Sequence, residues 1–169
     1  TYVPKGWLAT GTSTFTTANT NDLKAADGSY YLIAPESRVQ RDDRIYTPYF
    51  HMQAGVEYTA SFYLYMPGNL DYGHASDFSF TVGDEQDSEF HTPLLTLPRY
   101  TNEAWTKHTV KYTPEEDGDY CFSFALGGED TYAGEACIDL FTVTSPDAKA
   151  KPRAVFSFNG YFDLMNSKL

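Results

Sequence analysis

The chain has 169 residues, 41% of them hydrophobic and 17% aromatic, and a formal net charge of −11. That length allows one domain with a real core and is short for two. The acidity repels phosphate backbones, which argues against nucleic acid as a partner, and no apolar run is long enough for a transmembrane helix.

Fourteen Tyr and twelve Phe suit pleated, half-buried surfaces and favour an all-β protein. The chain begins at Thr1 with neither an initiator Met nor a signal peptide, so it reads as a mature or excised segment of something longer. Taken in order, Tyr2 to Leu8 leads into a Thr/Ser-rich strand, Thr12 to Thr17. Asp27-Gly28 signals a turn before the short strand Ser29 to Ala34. Arg38 to Arg44 interleaves both signs of charge and is expected to solvate itself as local ion pairs. A strand over Ile45 to Phe50 contains Pro48, which lacks an N–H and belongs at an edge or bulge.

The clearest element is Val56 to Met66. Val56, Tyr58, Ala60, Phe62, Leu64 and Met66 fall on one face, and Glu57, Thr59, Ser61, Tyr63 and Tyr65 on the other. Successive strand side chains point to opposite faces, so this is one long strand with a buried and a wetter side. After the loop Asn69 to Ala75 come strands over Asp77 to Val82, Thr92 to Thr101, Trp105 to Tyr112, Asp119 to Leu126 and Ala136 to Val143. Gly83 to Glu89 reads as an acidic turn, and Gly127 to Gly134 as a mobile loop.

Helical periodicity is nearly absent, and many short strands separated by turns argue an antiparallel β-sandwich of two sheets. The domain is expected over residues 1–145, with a Pro-bracketed linker over 146–153. The alternating tail 154–169 is either an extra hairpin or the start of a following domain, with the second preferred. Cys121 and Cys137 are either two buried thiols or a cross-strand disulfide.

The order of pieces resembles a known family. The pieces are Pro4 to Trp7, Ala26 to Ser29, the run from Tyr46 through Pro48, Met52 and Gly55 to Phe62, then Trp105, Tyr112 to Pro114, Gly118 to Tyr120, and Ile138 to Val143. Together they resemble the galactose-binding-like jelly-roll modules: carbohydrate-binding modules, MAM-like domains and the cleaved-adhesin domains of secreted bacterial proteins. The resemblance implies an all-β, two-sheet jelly-roll sandwich. It also implies a structural calcium and a binding surface on loops or a sheet face. The calcium would be held by Asp139, in its Ile-Asp-Leu-Phe setting, with Asp27 in the matching early turn. The family often has a second acid after that Asp; here it is Leu140.

Catalytic signals are thin: GxSxG, HExxH and phosphate-cradling glycine loops are absent from the sequence. Glu57 and Glu135 are a glycosidase pair only on paper, and the four histidines are scattered. The candidate ligand residues are Tyr63 and Tyr65 on the wet strand face, with Tyr72, His74, Arg99 and Tyr100 in loops or at strand ends. Ordinary cross-strand packing is the competing role for the two strand tyrosines. Trp7 and Trp105 are assigned to the core. The resulting expectation is a non-catalytic, extracellular or cell-surface module of a larger secreted bacterial protein. Its partners are a glycan or a cell-surface protein and neighbouring domains of its own chain. A ligand-free spacer is the first alternative and a glycan-active hydrolase the second.

Overall fold

The computed structural model describes residues 2–11, 14–20, 22–69, 71–146, 154–158 and 164–165. Among these there is no helix; they form thirteen strands in two antiparallel sheets, a sandwich. The first sheet contains β1 (Leu8–Thr10), β4 (Asp43–Tyr46), β10 (Gly118–Gly127), β7 (Ser76–Gly83) and β8 (Thr92–Tyr100) in that order, with β5 (Phe50–Met52) also paired to β10. The second is built on β11 (Ala136–Thr144). β6 (Tyr58–Tyr65) runs along one side of it, with β9 (Thr106–Tyr112) outside β6. The other side is shared. β3 (Tyr31–Ala34) and then β2 (Thr16–Ala18) line its first half; β12 (Ala154–Phe156) and then β13 (Leu164–Met165) line its second.

The alternation read in the central strand holds: Tyr58, Ala60, Phe62 and Leu64 are buried, and the residues between them are half-buried. Phe62 is fully buried and meets Phe80 and Phe124 at centroid separations of 5.0 and 5.1 Å. Phe78, Phe80 and Val82 of β7 and Phe122, Phe124 and Leu126 of β10 supply the facing layer. The core is therefore largely aromatic; most rings meet edge-on or tilted, while Phe80–Phe122 and Phe141–Phe156 stack.

Two expectations need correction. The strand expected over 45–50 is two strands, because residues 47–49 leave the ladder at Pro48. Thr47 repairs the gap: its hydroxyl accepts the Phe122 N–H at 2.9 Å and donates to the Pro48 carbonyl, also at 2.9 Å. The charged segment 38–44 does not simply solvate itself. Arg41 and Asp43 have fully buried side chains and pair at 3.1 Å. Arg41 also donates to the carbonyls of Gly134, at 2.6 Å, and Pro35, at 2.5 Å, so one guanidinium ties three segments together. Of the two readings left open for the cysteines, the structure has two free, buried thiols, and burial pushes the Cys121 thiol up to about 12.

Residues 147–153 of the expected linker lie outside the described residues, as does most of the tail beyond 158. What is described of the tail belongs to this sandwich. Ala154, Phe156 and Phe158 are buried, and Trp7 packs edge-on against Phe156 at 5.1 Å and Phe158 at 5.6 Å.

Candidate functional site

The outward face of the first sheet follows from its register. Ile45 and Phe124 are paired and fully buried, so their neighbours Arg44, Tyr46, Ser123 and Ala125 turn the other way. Arg44 lies beside Ala125 and Tyr46 beside Ser123, and Ser123 is in turn paired with Thr81. The middle of this face is built from small side chains, leaving room above it.

The segment 84–91 after β7 folds back over that face. Gln86 anchors it: its backbone N–H donates to the Tyr49 hydroxyl at 2.9 Å. Its side-chain amide donates to the carbonyls of Gly6, at 2.9 Å, and Thr47, at 2.8 Å. His91 anchors the far end. Its Nε2–H donates to the Glu85 carbonyl at 2.6 Å, which leaves Nδ1 to accept the Thr81 hydroxyl at 2.8 Å. The Thr81 hydroxyl oxygen is also bonded to Ser123, so a chain of hydrogen bonds runs from β10 through β7 to the loop. The His91 ring packs edge-on against Tyr46 at 5.2 Å. It rests on Gly83, where a Cβ would come within 2.4 Å of the ring.

Between this loop and β1 and β4 lies a cleft of about 740 Å³. Tyr46 and Arg44 form its floor, Thr10, Gly11 and Asp42 one side, and Glu85, Asp87, Ser88, Glu89 and Phe90 the other. Phe90 is 80% exposed at the rim. Leaving a ring of that size in water forfeits its burial energy unless something covers it. Asp87 holds a left-handed φ of 52°, a conformation that recurs at ligand sites. The cleft thus offers aromatic surface beside hydroxyl, carboxylate and guanidinium groups, the set that stacks on and hydrogen-bonds to a sugar.

The six residues singled out from sequence fall in three places. Tyr63 and Tyr65 are half-buried on the second sheet. Tyr65 packs on Trp105 at 5.8 Å, within a cluster that includes Leu23, Ile33 and Tyr31, so loop residues cover it instead of leaving an open platform. Trp105 is half-buried in this outer cluster and donates its indole N–H to the Lys24 carbonyl at 2.9 Å, whereas Trp7 is in the core. Tyr100 packs against the core and the His108 ring.

Tyr72, His74 and Arg99 do converge, at a loop end. Tyr72 faces Tyr132 at 5.4 Å and His74 at 5.9 Å. Arg99 pairs with Asp130 at 2.6 Å, which holds the Asp130 carboxyl below the usual range.

The Asp139 carboxylate meets the backbone of Asp27. Asp139 is fully buried, and its two oxygens accept the N–H groups of Asp27 and Leu140, each at 2.8 Å. Burial pushes its carboxyl up to about 7. No group of three His, Cys, Asp or Glu gathers among the described residues, so a cation at this carboxylate would need loop carbonyls for most of its shell. Glu57 and Glu135 are kept apart. β6 and β11 are antiparallel, Glu57 lies just before the start of β6, and that start pairs with the end of β11. Glu135 precedes β11, so a strand length, about 25 Å, separates the two acids, far more than a glycosidase pair spans.

Sequence reading missed Arg44, Tyr46 and the whole 85–90 wall. One signal was there: Phe90 ends an acidic turn and belongs to no alternating run.

Three comparisons bear on this arrangement. A family described as a carbohydrate-binding domain matches residues 3–131. A comparison with curated proteins finds no match. Among solved structures, the chain resembles TmCBM61, solved in complex with β-1,4-galactotriose. The TM-score is 0.61 at 15% identity, covering 82% of this chain and 88% of that one. It also resembles the K1 cleaved adhesin domain of Lys-gingipain from Porphyromonas gingivalis W83, with TM-score 0.60 at 12% identity, over 83% and 91% of the two chains. A third is the CBM22-1–GH10 portion of a Clostridium thermocellum xylanase complexed with xylohexaose. There the TM-score is 0.56 at 18% identity, covering 85% of this chain and 27% of that one. At these identities the structural likeness shows a shared fold. The sequence family extends over most of the chain, and the chain belongs to that family of carbohydrate-binding domains.

Proposed function

We propose that the domain is a non-catalytic module that binds a glycan chain in the cleft on the outer face of the first sheet. The observation that carries this reading is Phe90, 80% exposed at the mouth of a cleft of about 740 Å³ floored by Tyr46 and Arg44. A sugar ring stacked on Phe90 would cover the exposed ring, and Arg44, Thr10 and the wall carboxylates would satisfy its hydroxyls. The separation of Glu57 from Glu135 supports a binding role over hydrolysis. The module would serve a larger secreted or surface protein, holding it on a polysaccharide or cell surface, with a structural calcium at Asp139 as a secondary proposal. A second reading places the ligand at the loop end, where Tyr72 and Tyr132 are 61% and 42% exposed. A glycan array probed with the wild type, Phe90→Ala and Tyr72→Ala separates these readings. Loss with Phe90→Ala alone supports the cleft, loss with Tyr72→Ala alone supports the loop end, and no glycan binding by the wild type rejects both.

A further inference from the structure

We infer that the cleft selects its glycan by charge, favouring amine-bearing sugars of the glucosamine type over uncharged ones and rejecting uronates. The inference rests on the cleft being the glycan site, as proposed above. Four carboxylates line it, Asp42, Glu85, Asp87 and Glu89, against one guanidinium, Arg44. Three of them come from alternate positions of the wall loop. Glu85, Asp87 and Glu89 are exposed, whereas Gln86 and Ser88 between them are half-buried, and Gln86 spends its amide on the carbonyls beneath. The loop therefore presents its acids and uses its other polar groups to hold itself in place.

Ionised carboxylates only accept hydrogen bonds, and an ammonium only donates, with three protons to offer. A protonated amino sugar fits this lining and gains a charge-assisted bond at each acid it reaches. The exposed Phe90 ring adds a face for the same cation. A uronate carboxylate would face four like charges with one guanidinium to compensate. Four carboxylates against one guanidinium leave the recess net negative, a field focused on what enters, and the chain's net charge of −11 adds to it.

The test is a set of titrations of the whole domain at pH 6 and low salt. The probes are glucosamine hexamer, N-acetylglucosamine hexamer, galacturonic acid hexamer, and neutral glucan, xylan and galactan oligomers. The glucosamine hexamer should bind at least about tenfold tighter than its N-acetyl counterpart, a preference that shrinks as salt shortens the reach of the field. The galacturonic acid hexamer should not bind. The triple variant Glu85→Gln, Asp87→Asn, Glu89→Gln should narrow the ratio between the two amino-sugar hexamers; Asn tolerates the left-handed conformation at position 87. A thermal melt confirms that this variant is folded, and Glu89→Gln alone gives the same reading in smaller measure. If neutral oligomers bind and the amine adds nothing, or the uronate binds as well as they do, the charge inference is overturned while the cleft stands as a glycan site. If none of these glycans binds, the inference falls together with the proposed function.

Discussion

Arg41 shows what one residue can hold. Its guanidinium is buried with Asp43 and reaches the Pro35 and Gly134 carbonyls. Removing one member of such a pair leaves the other charge buried alone, so Arg41→Met should destabilise the domain by about 3–5 kcal/mol in denaturant unfolding. The sequence pattern could not reveal this. Arg38, Arg41 and Arg44 look alike in a charged run, and only the approach of residue 134, distant in sequence, selects Arg41 for burial. Asp139 was singled out by the family resemblance, and its carboxylate accepts the Asp27 N–H. Should it hold calcium, EDTA will lower the melting temperature and added calcium will restore it, since an ion bound only to the folded state stabilises by mass action. A melt indifferent to both leaves Asp139 as a residue that fastens the 26–27 turn to β11.

At the scale of elements, β6 was legible apart from its ends, read as Val56 to Met66 and found over Tyr58–Tyr65, because strict period-two alternation has one structural solution. Phe62 sits at its centre against Phe78, Phe80 and Phe124. Phe62→Ala should cost about 3–5 kcal/mol, as truncations of buried aromatics do, and a loss below about 1 kcal/mol would mean that the inner face is misassigned. The wall loop was not legible. Its hold depends on Gln86 reaching Gly6, 80 residues earlier in the chain, and on His91 folding back over Gly83. Gly83→Ala should push the ring aside, break the His91–Glu85 and His91–Thr81 bonds and loosen the wall. The expected result is weaker glycan binding with a small change in melting temperature. Unaltered binding would show that the wall does not need His91.

For the molecule as a whole, the two sheets treat their outer faces differently. On the second, Trp105, Tyr31 and Leu23 pack around Tyr65, one of the two tyrosines that the sequence had offered as a platform. On the first, a pinned loop leaves a cleft open beside β1 and β4, with Phe90 at its rim. The fold class was readable because it depends on periodicity and turns. The choice of face was not, because it depends on which loop crosses which sheet. The most direct measurement is therefore a calorimetric titration, with the best glycan from an array, of the wild type, Phe90→Ala and Tyr72→Ala. A cleft that stacks sugar on Phe90 predicts at least about a tenfold loss of affinity for Phe90→Ala, the worth of one aromatic contact, with Tyr72→Ala close to wild type. Wild-type affinity in Phe90→Ala, with the loss appearing in Tyr72→Ala instead, would contradict the cleft and move the site to the loop end.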